Sequence, residues 1–173
     1  MTADLHRRDL LKYLSAAGFS TLALPAADLN APLYFTKDEF ALLDVLTELI
    51  VPADDHSPGA HEAGVARYID RTVAEAVLPD ERTSWRKGLA AIDELSRNMY
   101  GVGFVEETGD QQRALLTKIA AAEQNPRTPS EKFFTQVKQT TAATYYSTSI
   151  GIHQEMNYKG NVILEEFVGY EAS

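Results

Sequence analysis

The sequence has no cysteine. Disulfides, thiolate zinc sites, cysteine-ligated iron–sulfur clusters and covalently attached c-type haem are therefore excluded within the chain. Basic residues are in the minority: 16 Lys and Arg stand against 25 Asp and Glu, a formal net charge of −9. A chain of that sign has little with which to neutralise phosphates along a duplex, which argues against nucleic acid as a partner. Long apolar runs are missing, and a transmembrane helix needs roughly 20 strongly apolar residues in a row. There is no sustained strand-type alternation, no fixed-period repeat, no phosphate loop and no flavin or nicotinamide fingerprint. The single Gly-x-Gly, Gly101-Val102-Gly103, follows a helical pattern and lacks a third glycine, so it reads as a helix end and turn. No serine sits in the glycine pattern of a nucleophile elbow.

What is present is helical. A chain of 173 residues with 45% hydrophobic side chains can bury one sizeable core. The clearest stretch is Tyr34 to Val65. Thr36 and Glu39 have capping-box spacing, and Phe35 and Phe40 have the spacing of a hydrophobic staple. Leu42, Leu43, Val45, Leu46, Leu49 and Ile50 then predict one broad buried face on a helix over about 37–50. Pro52 and the run Asp54-Asp55-His56-Ser57-Pro58-Gly59 end it. A second helix is predicted from about Ala60–Glu62, with Val65, Tyr68, Ile69, Thr72, Val73, Ala76 and Val77 on its stripe and a break at Leu78-Pro79-Asp80. A third carries Trp85, Leu89, Ile92, Leu95 and Met99. A fourth starts at an Asp110 cap and runs to about Glu123. The fifth starts at Thr128-Pro129 with Glu131 as its capping partner and extends through Phe133, Phe134, Val137, Thr141 and Tyr145 to a stop at Gly151. The fold class is all-α, a single domain of about five helices over 28–173 with an irregular C-terminal tail.

Residues 1–27 differ from the rest. The Arg7-Arg8 pair with Lys12 precedes a short, mildly apolar stretch from Tyr13 to Leu24 and a small-residue end at Pro25-Ala26-Ala27. These are the parts of an export signal, and the arginine pair gives it a likeness to the twin-arginine kind, which exports folded proteins. His6 and Leu10 depart from that pattern. The other reading of this stretch is an amphipathic first helix with a chance Arg-Arg.

Candidate chemistry is sparse. His56 and His61 lie near Asp54, Asp55 and Glu62, side chains able to hold a divalent metal, although the spacing puts no pair on one helix face. Asp54-Asp55, Glu106-Glu107 and Glu165-Glu166 are adjacent pairs, read as solvated charges rather than acid/base dyads. Aromatics crowd the last forty or so residues. Phe133, Phe134 and Tyr145 read as core. Tyr146, Tyr158, Asn161, Phe167 and Tyr170, with the Pro58-Gly59 turn, are the candidates for a protein interface.

Several of these pieces occur together in one family. Tyr34-Phe35-Thr36, Val51-Pro52-Ala53-Asp54, Ser57-Pro58-Gly59-Ala60 with Val65, Tyr68-Ile69-Asp70, Phe133-Phe134, Thr144-Tyr145-Tyr146-Ser147 and Tyr158-Lys159-Gly160-Asn161 follow in order. With the twin-arginine start, the chain resembles the gluconate 2-dehydrogenase subunit 3 family. The resemblance implies a non-catalytic small subunit. Its partner would be a large FAD-dependent flavoprotein of the glucose–methanol–choline type that oxidises a sugar or sugar acid, and a cytochrome c subunit is a further partner. FAD belongs to the large subunit, and no cofactor, catalytic or metal residue is assigned to this chain. The small subunit would support folding of the flavoprotein and carry it through the twin-arginine translocase to the periplasm. The alternatives left open are an independent periplasmic metal-dependent enzyme using the His56–Glu62 loop, or a scaffold domain.

Overall fold

The structure is a computed structural model in which residues 31–159 are described, and from Pro32 on they belong to one compact unit. Arg7, Arg8 and Lys12 of the export reading, and Asn161, Phe167 and Tyr170 of the interface reading, lie outside the described residues. The fold is all-α. Its helices are α1 (Lys37–Ile50), α2 (Val65–Glu75), α3 (Pro79–Tyr100), α4 (Gly109–Ala120) and α5 (Pro129–Tyr145). A 3-10 turn, Phe104–Glu106, precedes α4, and a π turn, Gly151–Glu155, follows α5. Among the described residues there is no strand.

Helix α5 is the centre, since it packs against each of the other four. Leu43 and Leu46 of α1, Ile69 of α2, Leu89 and Ile92 of α3, Leu115 of α4 and Val137 and Tyr145 of α5 meet in one core. Trp85 sets its indole edge-on to Phe133 with ring centroids 5.5 Å apart. The crossing of α3 and α5 there is close: a Cβ on Gly88 would overlap the Phe133 ring.

The starts of α1 and α5 are as predicted. Thr36 Oγ1 accepts from Glu39 N–H at 3.2 Å while Glu39 accepts from Thr36 N–H at 2.8 Å. Thr128 and Glu131 form the same reciprocal box. Four boundaries differ. Helix α2 begins at Val65 and not at 60–62, because Gly64 takes a left-handed conformation (φ 70°) that ends the preceding turns. It stops at Glu75, so Val77 is not on its stripe and is 89% exposed. Its buried face is Val65, Ala66, Ile69, Asp70 and Val73; a carboxylate occupies the place that periodicity gave to Tyr68 and Thr72, and both of these face solvent. Helix α4 is capped by Thr108 with Gln111, two residues before Asp110. Helix α5 ends at Tyr145. Gly151 is not its stop but the buried first residue of the π turn, where a Cβ would collide with the Tyr145 carbonyl.

Candidate functional site

The polar residues that the sequence singled out turn out to hold the chain together. The loop between α1 and α2 is fixed from three sides. Glu48, on the last turn of α1, accepts from Ala53 N–H at 3.1 Å and His61 N–H at 2.8 Å. Gly59 is buried against that carboxylate, where any side chain would overlap it. Asp54 accepts from His56 N–H at 2.8 Å and Ser57 N–H at 2.9 Å. These two backbone donors, Ser57 first, hold the Asp54 carboxyl below its ordinary range.

The third side is the end of α5. The Tyr145 hydroxyl donates to Pro58 O at 2.7 Å and lies 2.9 Å from Ser57 Oγ. Ser57 Oγ in turn donates to Glu155 of the π turn at 2.8 Å. Ser57, Pro58 and Tyr145, all part of the motifs read from sequence, thus form one buried tie.

Asp70 was not singled out for a role, and it has one. Its fully buried carboxylate accepts three consecutive backbone N–H groups, from Leu33 at 2.6 Å and from Tyr34 and Phe35 at 3.0 Å each. It anchors the lead-in to α1. The Glu106-Glu107 pair also differs from the solvated reading. Glu106 accepts from Gly103 N–H at 3.1 Å, but Glu107 is buried, with one oxygen on Ser96 Oγ and the other without a hydrogen-bond partner. The Ser96 hydroxyl also reaches Val102 O at 2.8 Å.

His56 and His61 are both exposed, and His61 Nδ1 lies 2.6 Å from Asp44 Oδ2. Among the described residues no group of three or more His, Asp or Glu side chains is placed to hold a metal ion. No described helix is long and apolar enough to cross a membrane.

Two concave surfaces stand out among the described residues. The larger, about 480 Å³, lies between α1, α3 and the 3-10 turn. Four of its charged residues are engaged with one another or with backbone groups. Arg86 stacks over Tyr34 at 4.4 Å, donates to Tyr34 O at 2.6 Å and pairs with Glu39 at 3.4 Å. Arg97 pairs with Asp93 at 3.0 Å, and Asp93 also accepts from Phe104 N–H at 3.0 Å. The smaller, about 420 Å³, lies between Tyr68 of α2 and the outer face of α5 from Gln139 to Thr144, with Ser147 just past the end of that helix. Of the interface candidates, Tyr146 and Tyr158 are 44% and 45% exposed, Pro58 is half-buried with its carbonyl taken by Tyr145, and Gly59 presents no surface. The α2–α5 hollow was not read from the sequence. Its signal is the absence of any charged residue from Gln139 to Ile152.

The fold and these ties define a helical domain whose conspicuous polar groups serve its own architecture. The comparisons place it further. A model of the family described as gluconate 2-dehydrogenase subunit 3 matches residues 37–162, from the first residue of α1 through the π turn. The chain belongs to that family, and is thereby a subunit of a dehydrogenase complex. Comparison with curated proteins and with solved structures finds no match.

Proposed function

We propose that the chain is the non-catalytic small subunit of a periplasmic, FAD-dependent sugar or sugar-acid dehydrogenase of the glucose–methanol–choline type. In this reading the large subunit holds the FAD and oxidises the substrate, a cytochrome c subunit takes the electrons, and this chain stabilises the flavoprotein and brings it to the twin-arginine translocase. The observation that carries the reading is the family match across all five helices. The Arg7-Arg8 pair supports the export part. So does a physical argument: a flavoprotein that loads FAD in the cytoplasm must cross the membrane folded, and a bound partner with a folded-protein signal moves both together.

The test is co-expression with a large-subunit flavoprotein, purification through this chain, and a visible absorption spectrum. Flavin bands and dye-linked sugar oxidation in the purified material are expected. A chain that comes down alone and colourless, with both proteins well expressed, would sink the reading. For export, replacing Arg7 and Arg8 by Lys is expected to strand the flavoprotein in the cytoplasm; unchanged periplasmic activity would refute that role.

A further inference from the structure

Residues 33–35 lie on α2 and α3 as a ligand lies in a site. Three successive N–H groups, of Leu33, Tyr34 and Phe35, converge on the Asp70 carboxylate at 2.6, 3.0 and 3.0 Å. Such convergence needs a curled backbone that cups an anion, and the anion here is a side chain of α2. From α3, Arg86 donates to Tyr34 O at 2.6 Å and holds its guanidinium 4.4 Å over the Tyr34 ring. Phe35 is buried, its ring edge-on to Trp85 with centroids 6.5 Å apart. The Leu33 side chain is 67% exposed, so that position is read through its backbone alone.

Two features make this a seat as well as a stretch of packed chain. Asp70 is fully buried, and among the described residues its hydrogen-bond donors are these three N–H groups. A buried carboxylate needs donors, so the seat calls for a curled peptide. In addition, α1 has its own start. Thr36 and Glu39 close the capping box between themselves, and Glu39 keeps its 3.4 Å contact with Arg86. Residues 33–35 can lift while the helix stays capped.

We infer that the seat formed by Asp70, Trp85 and Arg86 is a peptide-binding site, filled in cis by residues 33–35 as a strap, and that a segment of another protein chain with the pattern any residue, aromatic, Phe enters it when the strap lifts. The strap is a built-in competitor. Tethered beside its seat, it acts at an effective concentration in the millimolar range, so a free peptide enters where the strap is weakened or drawn off. The inference is independent of the subunit reading and is tested on this chain alone.

The probe is the peptide Ala-Pro-Leu-Tyr-Phe-Thr, residues 31–36 with blocked ends, titrated into the full chain. Trp85 is the single tryptophan, so its emission reports the seat. Phe35→Ala empties the ring position. Tyr34→Ala, which removes the ring under Arg86, takes its place if Phe35→Ala loses its helices by far-ultraviolet circular dichroism. The weakened chain is expected to show a saturable change in Trp85 emission at peptide concentrations about tenfold or more below those the wild type needs, with a rise in its unfolding midpoint. The peptide carrying Phe35→Ala is expected to leave both unchanged, and Asp70→Asn in the weakened chain to weaken binding about tenfold. A folded Phe35→Ala or Tyr34→Ala chain whose Trp85 emission ignores the peptide overturns the inference. So does equal binding by the wild-type and weakened chains, or binding indifferent to Asp70→Asn, since either puts the peptide elsewhere.

Discussion

Among single residues, Asp70 has the most to lose. It holds three backbone N–H groups that precede α1, and at least that of Phe35 is buried. Removing the acceptor leaves donors without a partner, which costs more than one ordinary hydrogen bond returns. Asp70→Ala is expected to lower stability by about 3 kcal/mol, and Asp70→Asn by less, as read by denaturant unfolding. Equal effects would mean that the lead-in finds other partners. Glu107 is the opposite case. One of its oxygens is buried without a partner, and the other meets a serine whose proton is also drawn to Val102 O. Glutamine there supplies donors where acceptors are in surplus. Glu107→Gln is expected to raise the unfolding free energy by roughly 1 kcal/mol; a drop would show that the carboxylate is needed as it stands. Neither role was legible beforehand. Asp70 looks like one more polar residue on a helix, and Glu107 like half of a solvated pair, because burial depends on neighbours far away in the chain.

At the level of elements, the α3–α5 crossing rests on a missing side chain. Alanine is the better helix former by about 1 kcal/mol, yet a Cβ at 88 would overlap the Phe133 ring. Overpacking wins when the ring has no room to retreat, and Phe133 is held edge-on to Trp85. Gly88→Ala is expected to destabilise the protein by about 1–3 kcal/mol; a stabilised variant would show that the crossing is slack. The backbone-bonded carboxylates of the α1–α2 loop and of the α5 capping box predict a pH response. Backbone donors hold Asp54 (Ser57 N–H, then His56) and Glu131 (Thr128 N–H, then Arg127) below their ordinary values of 3.8 and 4.5. A lowered folded value means stability fully present above the unfolded value and lost as pH falls through the folded one. The unfolding midpoint is therefore expected to drop below about pH 4, and Asp54→Asn with Glu131→Gln to flatten that slope. Helix starts were legible because a capping box is written in four adjacent residues. The ends were not: Gly151 owes its place to the Tyr145 carbonyl, and α2 begins where Gly64 alone can turn.

For the whole molecule, the domain begins where its anchors begin. Among the described residues, the first tie from the lead-in to the core is that of Leu33 N–H to Asp70. A chain starting at Ala31 is expected to keep the helical content and unfolding midpoint of the full chain, whereas one starting at Thr36 loses the Asp70 ties and melts lower. Equal midpoints for the two would place the start of the folded unit after the lead-in. The α2–α5 hollow was less legible than the fold, since Tyr68 and Ala143 share a surface only once α2 lies on α5. The tie from Tyr145 to Ser57 and Pro58, spanning 88 residues of sequence to Ser57, also has a consequence in time. The end of α5 and the loop after α1 are expected to open together, which amide exchange at a common rate in the two segments would show and unequal rates would refute. Any contact that stills the end of α5 is expected to quiet the loop after α1 with it, through the Tyr145 hydroxyl.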